Sequence, residues 1–374
     1  MRSIKMVDLH GQYLRAKTEI DQAIQESIDQ ADFIQGKSVN DFEKSLSSYL
    51  NGPRIISCGN GTDALQIAMM ALDFKPGDEI ILPAYTYVAT AEVIALLNLV
   101  PVFADVDEST FTIDVTQVEK LITKKTVAIV PVHLYGQCAD MSSLLDLAKK
   151  NNIHVIEDAA QSLGADHIFP DGTRKASGSI GVIGTTSFFP TKNLGAFGDG
   201  GALITNEPAL AEKIRMIANH GQKKKYYHDI VGVNSRLDTI QACILNVKLK
   251  HLESYNRKRN EVADYYDSQL SSAKFLKIPF RASYSTHVFH QYTIIVHDGL
   301  RDELKSFLLD RDIPTMIYYP EPLHLQKAYH KENVGAGAFP VSEKLSKSVL
   351  SLPIHTEMDT VQLSYICDSI KSFR

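Results

Sequence analysis

The sequence predicts an α/β fold, a mostly parallel sheet covered by helices on both faces, with a smaller α+β domain appended. Three observations lead there. From Ile55 to Ile156 short apolar runs alternate with helical patterns, and strand, helix, strand in that rhythm builds a parallel sheet. A chain of 374 residues is long enough to bury one large core and a second, smaller one. Past about residue 250 the alternation stops, and a strand with helices on either side follows.

The first elements are two helical patterns between residues 12 and 50. One carries Ile20, Ala23, Ile24 and Ile28 on a single face, the other Phe42, Leu46 and Leu50, as docking helices do. Strand-like Ile55 to Ser57 then precedes a helix from Ala64 to Leu72. Glu79 to Leu82 precedes a helix from Val88 to Leu97, and Val102-Phe103 follows. The order continues with a strand at Val127 to Val132, a helix at Ser142 to Lys150, and a strand at His154 to Ile156. After Gly200 to Thr205 come a helix from Pro208 to Ala218 and a polar loop from Gln222 to Asp229. One long helix from Leu237 to about Asp264 should carry the chain out of the large domain. The boundary is expected near residue 250, giving a large domain over 1–250 and a small one over 251–374. The small domain has a strand at Gln291 to Val296, a helix at Leu300 to Leu309 and a C-terminal helix.

Composition narrows the class of function. Hydrophobic residues at 44% and charged residues at 22% are those of an ordinary globular protein, so neither disorder nor a fibrous repeat is indicated. A net charge of -5 gives no global attraction to nucleic acid or anionic membrane. Any anionic ligand must be held by local charge. The cysteines Cys58, Cys138, Cys243 and Cys367 form no CxxC pair and read as reduced core thiols. The histidines form no HExxH or comparable cluster, so no metal is expected. No apolar run approaches the ~18 residues of a membrane span, and the N-terminus has no apolar leader. The expected location is the cytoplasm.

Asp158 closes the apolar segment His154-Val155-Ile156-Glu157, and ligands of open parallel sheets sit beyond the carboxyl ends of the strands. Lys192 lies between Phe188-Phe189-Pro190 and Leu194-Gly195-Ala196-Phe197-Gly198. Alone it would read as a surface charge, but this apolar setting disfavours the ammonium and lowers its pKa. A carboxylate ending a buried strand and a lysine beyond the next strand pair are what a pyridoxal phosphate site needs. The lysine forms an imine with the aldehyde, and the carboxylate keeps the ring nitrogen protonated. The glycines around Lys192 match neither GxGxxG nor a Walker A loop and read as tight backbone.

Five segments carry a resemblance: Gly61-Thr62-Asp63-Ala64-Leu65, Pro83-Ala84-Tyr85-Thr86-Tyr87, Glu157-Asp158-Ala159-Ala160-Gln161, Ser187 to Lys192, and Gly232-Val233-Asn234-Ser235-Arg236. In order and separation they are similar to the sugar aminotransferases of the DegT/DnrJ/EryC1/StrS family, over nearly the whole chain. The loop Asn219-His220-Gly221-Gln222 resembles members that aminate the C3 keto group of UDP-linked 2-acetamido sugars or uronic acids. The resemblance implies an aspartate-aminotransferase-like fold of type I with a mostly parallel seven-stranded sheet. It also implies pyridoxal 5'-phosphate as cofactor, L-glutamate as amino donor, a nucleotide-linked keto sugar as acceptor, and ping-pong kinetics. Two chains of a homodimer would share each active site, and the product would feed lipopolysaccharide or another surface glycan.

Residue by residue, the resemblance makes Gly61, Thr62 and Asp63, at a helix start, and Ser187 the phosphate holders. Free N–H groups and the helix dipole there favour an anion. Taken alone, Thr62 or Asp63 would be a plain helix cap. Tyr87 would stack on the cofactor ring, Asp158 would pair with the pyridinium, and Gln161, where many relatives have histidine, would donate to the phenolic oxygen. Asn234 would reach the partner's phosphate, and Arg236 would bind a carboxylate or shape the substrate pocket through its bidentate fork. Lys224 and Tyr226, in the basic loop Lys223-Lys224-Lys225-Tyr226, would clamp the diphosphate and stack on the nucleotide; the bland alternative is a solvated surface run. Tyr318, Tyr319 and His324 resemble the segment that borders the sugar, with Tyr318 where close relatives often have histidine.

Three alternatives stand beside this. The acceptor could be a dTDP-3-keto-6-deoxyhexose or a C4-keto sugar. A pyridoxamine-phosphate-dependent sugar dehydratase shares the scaffold, but such relatives replace the lysine with histidine, and Lys192 argues against it. The third is a non-catalytic, cofactor-binding regulatory protein.

Overall fold

The structure, a computed structural model, describes residues 2–329 and 334–374. The chain opens with three helices, α1 (Leu9–Arg15), α2 (Lys17–Asp29) and α3 (Lys37–Tyr49). Phe42, Leu46 and Leu50 of the second pattern, on α3 and at its end, are buried as one face. In α2 only part of the expected face docks. Ile20 is buried, but Ile28 is 47% exposed.

The large sheet is then built from β1 (Arg54–Cys58), α4 (Gly61–Ala71), β2 (Glu79–Pro83), α5 (Ala89–Leu96), β3 (Val100–Ala104), α6 (Val115–Leu121), β4 (Thr126–Ile129), α7 (Met141–Asn151) and β5 (His154–Asp158). A side hairpin, β6 (Asp166–Ile168) and β7 (Arg174–Ala176), leaves it before β8 (Ile183–Ser187), β9 (Gly201–Thr205) and α8 (Pro208–Ala218) return. The seven strands lie in the order β1-β9-β8-β5-β4-β2-β3. All neighbours from β8 to β3 pair in parallel, and β9 alone runs against its neighbours. Alternation along β2 shows both faces covered: Ile80 and Leu82 pack with α4, α5 and α8, whereas Ile81 packs with α6 and α7. Strand β5 is the middle of the seven, so Asp158 ends at the centre of the sheet's carboxyl edge.

Local chemistry ends these helices. Asp140 caps α7 by accepting from the Ser143 N–H, and Asn152 closes it in the left-handed conformation at φ 53, which asparagine tolerates better than most residues. Pro208 opens α8 at its first turn, where no N–H is needed. The cap of α4 is Asn60, whose Oδ1 accepts from the Asp63 N–H across 2.8 Å, rather than Thr62 or Asp63.

Two further expectations are corrected. Residues 222–229 form a small hairpin, β10 (Gln222–Lys224) and β11 (Tyr227–His228), rather than a plain loop. The single helix expected from Leu237 to Asp264 is two, α9 (Thr239–Leu249) and α10 (Leu252–Leu270). At the junction the His251 N–H bonds to the Lys248 carbonyl, three residues back, and the tightened turn redirects the chain. Buried α9 stays against α3 and β9, and α10 enters a second core.

That core holds β12 (Leu276–Lys277), β13 (Tyr292–Val296), α11 (Arg301–Leu309), β14 (Val349–Leu352) and α13 (Thr360–Lys371), while α12 (Pro340–Ser348) packs its Leu345 with Tyr85, Tyr135 and Ile295 in a separate cluster. The core's antiparallel sheet runs β12-β13-β14. A capping box between Asp359 and Gln362 starts α13, worth ~1 kcal/mol. No helix among the described residues is long and apolar enough to cross a membrane.

Candidate active site

A cavity of about 530 Å³ opens beyond the carboxyl ends of β5 and β8. Nine of the residues singled out in the sequence line it: Gly61, Thr62, Tyr87, Asp158, Gln161, Ser187, Lys192, Tyr318 and Tyr319. They come from far-apart segments, brought together because α4 starts beside the end of β8 while the 318–319 segment crosses over Tyr85.

Asp158 is 7% exposed, and both of its carboxylate oxygens are held. Oδ2 accepts from Thr90 Oγ1 at 3.0 Å and Oδ1 from the Ala160 N–H at 3.1 Å. Its neighbour Glu157 points to the other side and is wholly buried, accepting from the N–H groups of Gly178, Ile180 and Gly181. His133 completes that cluster: its Nδ1 accepts from the Ala139 N–H, so its Nε2 carries the proton and donates to Glu157 at 2.9 Å. The strand end is thereby immobilised from both faces.

Lys192 sits in the loop between β8 and β9. Its N–H bonds the Phe189 carbonyl, and the Ala196 N–H bonds that of Phe188, folding the loop back on itself. A Cβ on Gly195 would stand 2.2 Å from the Pro190 carbonyl oxygen, so only glycine fits there. Burial lowers the Lys192 pKa to about 8, with the Asp158 charge pulling in the opposite direction. His290, also lining the cavity, is kept neutral mainly by burial and then by the charges of Lys192 and Arg259.

At the opposite end, the first turn of α4 faces Ser187. A Cβ on Gly61 would lie 2.8 Å from that of Ser187, so glycine is what lets the two segments approach and leaves the amides of the turn open. Above the floor, Gln161 Oε1 accepts from the Tyr135 N–H at 2.7 Å, and its Nε2 donates to the Tyr319 hydroxyl at 3.2 Å. One N–H of that amide is left for a ligand. Tyr135 adopts φ 59, a left-handed conformation costly for a bulky residue. The Tyr85 hydroxyl donates to the Tyr318 carbonyl and accepts from the Tyr319 N–H, at 2.7 and 2.8 Å, fixing the upper wall.

A model of the DegT/DnrJ/EryC1/StrS aminotransferase family matches residues 15–371. The chain belongs to this family. It is 45% identical over 373 residues to the "pleiotropic regulatory protein" of Geobacillus stearothermophilus, covering 99% of this chain and 98% of that one. It is 43% identical over 367 residues to the UDP-2-acetamido-2-deoxy-3-oxo-D-glucuronate aminotransferase of Pseudomonas aeruginosa, covering 98% and 99%. Among solved structures, DesV of S. venezuelae in complex with a ketimine intermediate superposes with a TM-score of 0.95 at 38% identity, covering 100% and 99%.

Like the family, the protein is a pyridoxal-phosphate-dependent aminotransferase of fold type I, and the cavity suits that cofactor. It offers a lysine with a depressed pKa, a buried carboxylate, open helix-start amides, and two buried polar atoms with no partner among the described residues, Thr86 Oγ1 and His290 Nδ1. Thr86, Thr90, Tyr135 and His290 were not singled out in the sequence. Thr86 lay inside a recognised segment, but nothing in the spacing of the other three signals their convergence. Among the described residues no group of His, Cys, Asp or Glu is arranged to hold a metal.

Six of the residues expected in the site do not line this cavity. Asp63 instead accepts from Ser235 Oγ at 2.6 Å, which in turn accepts from the Gly59 N–H, so it ties the helix start to the 234–236 segment. Asn234 is exposed, and Arg236 lines a separate cavity of about 260 Å³ with Arg215, Glu43 and Asn219. Lys224 and Tyr226 stand on the exposed β10–β11 hairpin, where Lys224 lies over the Tyr227 ring and Lys225 over that of Tyr226. His324 is 1% exposed, bonded to Glu343 at 3.0 Å and packed edge-on against Phe339. The chain turns inward after Pro322, where the Leu323 N–H bonds to the Ala84 carbonyl, and this carries His324 away from the cavity.

Proposed function

We propose that the protein moves the amino group of L-glutamate onto the C3 keto group of a UDP-linked 2-acetamido-3-keto hexose or its uronic acid, making an amino sugar for a surface glycan. The observation that carries this is the Lys192 amine, held at a pKa of about 8 in a cavity it shares with buried Asp158. Pyridoxal phosphate supplies an aldehyde that takes up and releases the amino group, and a ring that accepts the electrons left when the Cα–H bond breaks. The α4 amides, Thr62 and Ser187 would hold its phosphate, Tyr87 would stack on its ring, and Asp158 would pair with the protonated ring nitrogen. Lys192 Nζ, whose burial eases loss of the ammonium proton, takes the proton from the glutamate Cα. In the second half-reaction it delivers a proton to C3 of the sugar.

Residues outside the cavity fit a second copy of the chain. An isolated bridge joins Ile34 to Asp238, setting exposed Phe33 and Ile34 (44% and 51%) against the start of α9, and Gln35 shares a cavity with Arg236. In a homodimer that strip would be covered, with Asn234, Arg236 and the Lys224–Tyr226 hairpin serving the neighbour's site. The relative named as regulatory does not favour a non-catalytic role here, because a chain that merely held the cofactor has no use for a depressed lysine. Incubation with glutamate and a panel of UDP- and dTDP-linked 3-keto and 4-keto sugars, read by mass spectrometry, tests the proposal. Amination of the UDP-linked 3-keto sugars is expected, and exclusive turnover of a dTDP sugar would replace the substrate. Lys192→Ala should fold and give no product; retained turnover would overturn the mechanism.

A further inference from the structure

Under the lysine loop lies a buried cation that the scheme above does not use. Lys248 of α9 is 2% exposed, and among the described residues no carboxylate forms an ion pair with it. Its ammonium donates to the Gly195 carbonyl and stands 5.6 Å from the centre of the Phe197 ring. An ammonium withdrawn from water without a counter-ion is costly, and here burial, aided by Arg259, lowers its pKa to about 8. A methionine would fill the same space without that cost.

The cation's contacts are with the loop that carries Lys192. Gln241, two turns earlier on α9, accepts from the Phe197 N–H at 2.8 Å. From α10, Asn256 Oδ1 accepts from Asn193 Nδ2 at 2.7 Å. The chain leaving Lys192 is therefore pinned at 193, 195 and 197, and Lys248 holds the middle point.

We propose that Lys248 is a positioning residue for Lys192, keeping the 193–197 segment closed behind the reactive amine and so keeping water from it. This rests on Lys192 being the reactive lysine. The charged group acting on that amine is Asp158; His290, which shares the cavity, is kept neutral, and Arg259 acts on Lys248. Released from the brace, the loop admits water to Lys192, and its pKa rises toward that of a free lysine.

The test is the pH profile of Lys192 acetylation by trace acetic anhydride in the full chain freed of cofactor, followed by peptide mass spectrometry. The wild type should titrate near pH 8. Lys248→Met should shift the profile upward, with Lys192 reactivity at pH 8 falling about tenfold. Gln241→Ala, a milder release of the same loop, should shift it the same way and decides the matter if the methionine variant does not fold. A profile unchanged by these substitutions, even with a lower melting temperature, makes Lys248 a packing residue and overturns the proposal. A wild-type Lys192 that labels like a surface lysine overturns the reading of the site itself.

Discussion

Thr90 Oγ1 donates a hydrogen bond to Asp158 Oδ2 across 3.0 Å, from the first turn of α5 to the end of the central strand. Thr90 is fully buried, so no water can replace it, and the amino end of α5 adds a favourable field for the carboxylate. A hydrogen bond to a charged group contributes ~1.5–3 kcal/mol. Thr90→Val should fold and bind cofactor more weakly, with kcat/KM reduced about tenfold to a hundredfold. Thr90→Ser should recover most of it, and equal kinetics for all three would show that Asp158 needs no such support.

The depressed Lys192 pKa is also a statement about stability. The unfolded lysine titrates near 10.5 and the folded one near 8, so between those values the unfolded chain binds more protons and stability rises with pH. Below pH 8 the full cost of burying the ammonium is present. In cofactor-free protein, Lys192→Met should therefore stabilise the fold at pH 7 by roughly 1–3 kcal/mol. The gain should shrink toward pH 10, as followed by urea unfolding across that range.

Gln161 holds the Tyr135 N–H and the Tyr319 hydroxyl together. Gln161→Ala leaves Tyr135, at its left-handed φ, without an acceptor, a loss of ~1–3 kcal/mol. The Tyr319 ring also loses its tether. A lower melting temperature and a raised KM for the keto sugar are expected together; a change in only one would separate the two contacts.

His324 and Tyr319 should part company. With His324 bonded to Glu343 and packed on Phe339, His324→Ala should cost ~2–4 kcal/mol of stability and leave sugar KM within about twofold. Tyr319→Phe, on the cavity wall, should do the reverse. Kinetics and melting curves on the two variants decide it.

Much of this was legible in local pattern. Apolar alternation marked β1, β2, β4, β5 and their crossover helices, because a strand buried on both faces reads as a short continuous apolar run. The helix α6 and the pair α12–β14 were not marked. Ser348 passes directly into Val349 with no turn residue between them, so the periodicity blurs there. The long helix expected across Lys250 broke for a reason absent from its own residues: α9 is committed to one core and α10 to another.

The sequence by itself determined the strand and helix alternation that begins the large sheet and the family, and it marked Lys192 and Asp158 as candidates, since these depend on residue types and local pattern. Tertiary structure alone decided that Thr90 supports Asp158, that Lys248 and Gln241 brace the lysine loop, that His324 is buried, and that Asn234 and Arg236 stand outside their own cavity. The first three of those facts are meetings of groups separated by tens of positions. Such meetings arise only when the core has chosen which surfaces pack together.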